Sequence, residues 1–131
     1  LKTHTLHYLV LVMSIVVLAW CWDDFFNTPI AHLLLNVDFL IDYTVRQPSL
    51  AEEFLYHAIT TFIIYGLFVQ LARTRLYIPA LLIFTIFSST VLYFILGEQA
   101  VRPITLTTEA FTGWVVIHLI FAALLYRFTK K

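Results

Sequence analysis

Between residues 76 and 97 the chain runs for 22 positions without a charged side chain. At 1.5 Å per residue a helix over that stretch is about 33 Å long, enough to cross a hydrocarbon core of roughly 30 Å. Three further apolar stretches, over 6–22, 54–72 and 110–128, approach the same length. Charged residues make up 12% of the sequence, about half of what a soluble domain carries. A domain this small exposes much of its surface, and 16 charged side chains cannot cover it. The sequence predicts an all-α integral membrane protein, with four transmembrane helices in a single domain over residues 1–131.

The same composition removes several functions. Eight basic and eight acidic residues leave no net charge, so nothing favours nucleic acid as a partner. Cys21 stands alone, which rules out an intrachain disulfide, a CxxC redox pair and a Cys-rich zinc cluster. No catalytic motif is present, and the reading leans away from an enzyme. Trp20 before Cys21 is too large for a lipoprotein cleavage site, so the first stretch reads as an uncleaved span.

Local signals mark the helix boundaries. Pro48 precedes Ser49-Leu50-Ala51-Glu52, a capping box in which hydroxyl and carboxylate each satisfy an orphan backbone donor. Pro103, the threonines 105, 107 and 108, and Glu109 open the fourth span in a similar way. Arg73-Thr74-Arg75 forms a tight polar turn, so spans two and three are antiparallel neighbours. Pro79 falls near the start of span three, where it costs little. Thr28-Pro29 reads as a helix start. The helix it opens, over about 29–43, is expected to be amphipathic and interfacial, with Asp38 and Asp42 on one face.

Charge sets the expected orientation. Lys2, Arg73, Arg75, Arg127, Lys130 and Lys131 share one side, while Arg46 and Arg102 lie on the other. The side richer in basic residues faces the cytoplasm, which places both termini there, in a bacterial inner membrane. All eight carboxylates fall on the outer side: Asp23, Asp24, Asp38, Asp42, Glu52, Glu53, Glu98 and Glu109.

Ionisable residues inside spans are rare and often functional. His57 lies about a turn into span two and His118 near the middle of span four. These spans run in the same direction, so the two imidazoles enter from one side, at depths differing by roughly 6–8 Å. One reading is a haem b or quinone site between them. The plainer reading is that each bonds a hydroxyl or carboxylate on a neighbouring helix. Glu53 and His57 stand four residues apart, with Thr60 and Thr61 a turn deeper. This polar stripe is expected to face protein, either as packing contacts or as a proton site. Trp114 and His118 have the same spacing, which suits aromatic packing.

No metal site is expected. His32, Asp38, Glu52, Glu53 and His57 gather on the outer side without any ligand spacing such as HExxH. His4 and His7 read as solvated residues at the end of span one. Thr85, Ser88, Ser89 and Thr90 suit close helix packing better than a pore lining.

The run Asp23-Asp24-Phe25-Phe26-Asn27-Thr28-Pro29, together with Phe62-Ile63-Ile64-Tyr65-Gly66-Leu67-Phe68, loosely resembles small membrane proteins associated with bacterial exosortase systems. The chain lacks the basic pair that those proteins carry near their last span. That resemblance implies a short multi-span protein in such a system. The composition itself points to a non-catalytic subunit or accessory component of a larger membrane complex. Its expected partners are the lipid bilayer and other membrane subunits. The alternatives are a haem- or quinone-binding electron-transfer anchor using His57 and His118, and a homo-oligomeric channel.

Overall fold

A computed structural model of the chain describes residues 1–36, 45–100 and 105–130. The described elements are α1 (Lys2–Phe26), α2 (Ile30–Leu34), α3 (Leu50–Leu71), α4 (Tyr77–Ile86), a π-helical turn (Phe87–Val91), α5 (Leu92–Gln99) and α6 (Thr108–Thr129). No strand occurs among the described residues. The segment α4–π-turn–α5 forms one continuous helix, Tyr77–Gln99, so the fold has four long helices and one short one. All four long helices are long and apolar enough to cross a membrane. Helices α3 and α6 begin a few residues before the apolar stretches, where Ser49 and Thr107 cap them.

Three of those ends follow from sequence chemistry. The Ser49 hydroxyl accepts from the Glu52 N–H at 3.2 Å, and the Glu52 carboxylate accepts from the Ser49 N–H at 2.8 Å. The other carboxylate oxygen of Glu52 takes Arg46 Nη1 at 2.6 Å. The Thr107 hydroxyl accepts from the Ala110 N–H at 3.1 Å and starts α6. Between α3 and α4 the Thr74 N–H and hydroxyl both donate to the Leu71 carbonyl, and the hydroxyl accepts from the Leu76 N–H. That double use of one threonine folds the chain back in a few residues, as the tight turn requires.

The connection after α1 departs from expectation. Thr28 does not cap the next helix; Pro29 occupies that position and makes no side-chain cap bond. Asp23 reaches back from the last turn of α1 instead. Its carboxylate accepts from the Ile30 N–H at 2.9 Å, the Ala31 N–H at 2.8 Å and the Thr28 hydroxyl at 2.5 Å. A carboxylate offers two oxygens to the positive end of a helix, where a threonine offers one. Asn27, in the left-handed region at φ 53°, turns the chain so that this contact closes.

The helix predicted over 29–43 is interrupted. Helical structure stops at Leu34, and Leu35 and Asn36 continue outside it. Ile30, Ala31 and Leu33 are buried against the bundle, while His32 and Leu34 are half-buried. Asp38 and Asp42 lie outside the described residues.

Helix α6 is the hub. Of its most apolar window 44% is buried, against 17–28% for the other long helices. Trp114, Ile117, Phe121 and Leu125 form its inner stripe, facing Leu11, Ile15 and Ala19 of α1. The α1–α6 approach is close because Gly113 lies under Trp22. A Cβ on Gly113 would stand 2.3–2.5 Å from three atoms of the Trp22 indole, whose N–H donates to the Glu109 carbonyl at 3.1 Å.

The opposite end holds the N-terminus of α1, the α3–α4 turn and the end of α6. His4 Nδ1 lies 2.7 Å from the Tyr65 hydroxyl, and the His7 ring stacks on Phe128 at 4.3 Å. His4 stays exposed, as a solvated residue does, while bonding α3; His7 is half-buried against α6. Tyr77 donates to Thr129 at 2.6 Å, and Lys130 Nζ donates to the Ala72 carbonyl at 3.0 Å.

The Gly113 contact predicts a specific instability. Gly113→Ala is expected to destabilise the detergent-solubilised protein by about 1–3 kcal/mol through overpacking, measured as a lowered midpoint in thermal unfolding. In a Trp22→Leu background the same substitution is expected to cost much less.

Candidate functional site

Positions 53, 57, 60, 61 and 64 lie on one face of α3 by helical periodicity. That face, carrying Glu53, His57, Thr60, Thr61 and Ile64, lines a cavity of about 260 Å³ among the long helices. From α6 the wall is Trp114, His118 and Phe121; from the α4–α5 helix it is Phe84, Ser88, Leu92 and Leu96. Ile15 of α1 closes the back. Leu34, Leu35 and Asn36 line the end nearest α2. The five polar residues singled out from sequence, Glu53, His57, Thr60, Thr61 and His118, are therefore brought to one space. His32 and Glu52 are not part of its lining.

His118 is the most committed of the polar groups. It is 5% exposed, and its Nδ1 lies 2.7 Å from the carbonyl of Trp114, one turn earlier on α6. A carbonyl can only accept, so Nδ1 donates. The imidazole also lies against the Trp114 indole, with centroids 4.3 Å apart and planes inclined by 30°. Bond and stacking together fix the ring. The expected aromatic contact between Trp114 and His118 is present.

His57 is held differently from the sequence expectation. Its partner is neither Glu53 nor a hydroxyl. Its Nε2 stands 3.4 Å from the backbone carbonyl of Val12 on α1. Residue spacing on α3 brings Glu53 and His57 to one face, but the ring turns toward the adjacent helix, where a carbonyl waits. The neighbouring bond from the Tyr8 hydroxyl to the Ala58 carbonyl, 2.8 Å, pins the same two helices together.

Glu53 and Thr61 are buried, at 8% and 2% exposure, while Thr60 is exposed. The Thr60 hydroxyl donates to the Tyr56 carbonyl at 2.9 Å within α3.

The wall opposite α3 is shaped by the π-turn. A π-turn adds a residue to the helical turn and occurs often at functional sites. Here it turns two consecutive residues, Ser88 and Ser89, inward, and both are buried. The Trp114 indole N–H donates to the Ser88 carbonyl at 2.8 Å, satisfying an acceptor that the widened turn exposes. The Thr85 and Thr90 hydroxyls donate to carbonyls four residues back. The hydroxyls of Thr85 and Thr90 are thus bonded to their own helix, and Ser88 and Ser89 lie in the bundle interior.

The π-turn and the Trp114–Ser88 bond were not anticipated. Their signal in the sequence is slight: three consecutive small hydroxyl residues, Ser88-Ser89-Thr90, in an otherwise large-residue span. Among the described residues, no three His, Cys, Asp or Glu side chains come together as a metal site. Comparison with family models, curated proteins and solved structures finds no match to the chain, so function is read from this geometry.

Trp114→Phe keeps the ring but removes the donor to Ser88. Leaving that buried carbonyl unpaired is expected to cost about 1–3 kcal/mol. The effect should appear as a lower unfolding midpoint and faster amide exchange across 87–91, with little change at the far end of α4.

Proposed function

We propose that the chain is a small multi-pass membrane protein acting as a non-catalytic component of a larger membrane assembly. Its contribution is the cavity, which holds a small membrane-soluble molecule with a polar head. The carrying observation is the convergence of Glu53, His57, Thr60, Thr61 and His118 on one 260 Å³ space. Polar and ionisable groups inside a membrane span are costly, and their retention marks function. Mostly apolar walls with a few convergent polar groups are the usual form of a small-molecule site.

Size decides between the ligands that two histidines could take. Drug-sized sites run from about 300 to 1,000 Å³, and this one falls just short. A single substituted ring, such as a quinone head, suits it better than the broad plate of haem b. The imidazoles favour the same choice. His118 has Nε2 available, but His57 directs its own Nε2 toward the Val12 carbonyl, which sets that ring poorly for a shared iron.

In this reading the four long helices cross a bacterial inner membrane with both termini in the cytoplasm. Support comes from the basic residues Lys2, Arg73, Arg75, Arg127 and Lys130, which share one end of the bundle. The His4–Tyr65 and Lys130–Ala72 contacts bring those segments together. A reporter active only in the periplasm, fused after Lys131, is expected to stay silent; strong activity there would reverse the orientation.

The cavity itself is tested by what travels with it. Protein purified from native membranes in mild detergent is expected to release, on solvent extraction, an apolar-tailed molecule near one per chain. Thr61→Phe, which fills the space from α3, is expected to deplete it at least several-fold while unfolding remains cooperative. Equal extracts from both proteins would remove the ligand reading.

A further inference from the structure

The hydrogen-bond arrangement around the cavity specifies the polarity of the head it takes. His118 Nδ1 and His57 Nε2 are each directed to a backbone carbonyl, so in the uncharged ring each of these nitrogens carries the proton. The nitrogen left over on each ring then offers only a lone pair. His118 is nine-tenths buried or more, and its Nε2 has no hydrogen-bond partner among the described residues. Its remaining exposure belongs to the cavity it lines.

Neighbouring donors are mostly used elsewhere. The Thr60 hydroxyl donates to Tyr56, the Trp114 indole to Ser88, and the Ser88 hydroxyl to the Thr85 carbonyl. Thr61, Tyr56 and Asn36 also line the cavity. The two imidazoles thus bring two lone pairs and no free N–H to the cavity.

Resting on the proposed role of the cavity as a ligand site, we infer that it is built for a head that donates hydrogen bonds. Among membrane-soluble ring compounds it takes the reduced quinol in preference to the quinone. A quinol presents two hydroxyl donors, whereas a quinone presents carbonyl acceptors toward nitrogens that also accept. Phe84 and Phe121 add aromatic surface to the lining. The apolar tail is taken to leave beside Thr60, which is exposed although part of the lining. The inference concerns binding and invokes no electron transfer.

The test uses the full chain in lipid nanodiscs free of endogenous quinones, under reducing, oxygen-free conditions for the quinol. Three short-tailed probes are titrated by calorimetry: a quinol, its quinone, and the dimethyl ether of that quinol, which keeps the ring and loses both donors. One hydrogen bond of ordinary net strength is worth about a tenfold change in affinity. The quinol is therefore expected to bind at least about tenfold tighter than the other two. His118→Phe is expected to bring all three within about twofold of one another, with thermal unfolding confirming that the variant is folded. The comparison on the unaltered chain decides without that variant if it fails to fold. Quinone or ether binding as tightly as quinol would overturn the inference while leaving the cavity a ligand site. Absence of binding by all three would overturn the ligand reading together with the inference.

Discussion

A carbonyl bonded along its own helix keeps a second lone pair, and the contacts between the long helices are built largely on that spare acceptor. The Tyr8 hydroxyl reaches the carbonyl of Ala58, His57 that of Val12, and Trp22 that of Glu109. Two further bonds serve carbonyls that lack a helical partner: Trp114 reaches Ser88 at the π-turn, and Lys130 reaches Ala72 at the end of α3. Each is a side-chain donor on one helix meeting backbone on another. In an apolar surrounding a donor without a partner is costly, and every residue of a neighbouring helix carries a carbonyl. The individual energies are small, on average about 0.6 kcal/mol in membrane proteins. Their effect is to fix how each helix is rotated about its axis. Rotation in turn decides which side chains meet in the middle.

That dependence explains what the residue pattern reveals and what it hides. The long helices are legible because apolar length and polar caps are local properties. Ser49 with Glu52, Thr107, and the Arg73–Arg75 turn all act within four residues of themselves. The cavity is half legible. Glu53, His57, Thr60 and Thr61 show themselves as a polar stripe, and His118 stands out as an ionisable residue in an apolar run. Their partners do not show, because a backbone carbonyl leaves no mark in an amino-acid sequence. A search for side-chain partners assigns His57 to Glu53 or a hydroxyl and passes over Val12. Asp23 is hidden for a related reason. It caps a helix seven residues away, beyond the spacing that identifies a local cap, and only the left-handed Asn27 makes the reach possible. His7 looks solvated by position alone, until the convergence of α1 and α6 supplies Phe128; His4 stays exposed although it reaches Tyr65.

Packing around α6 gives the cavity stiff walls on one side and a looser edge on the other. Trp114 serves both purposes at once: its face lies on His118, and its N–H holds the π-turn. The α3 wall is tied to α1 by Tyr8 and His57, while its outer face presents Leu55, Ile59, Phe62, Ile63 and Leu67 to the surroundings.

The π-turn also alters how the third long helix meets the rest of the molecule. An extra residue in one turn advances everything after it by about 100° around the helix axis, since an α-helix has 3.6 residues per turn. Tyr93 and Leu96 reach the interior only because of that advance. Wound as an ordinary α-helix with every residue kept, the span would carry Leu92 where Tyr93 now points; removing one residue from 87–91 at the same time would keep Tyr93 inward. One residue of chain length thus acts as a phase setting between two halves of a span. Neither half can change its inward face without the other losing its alignment.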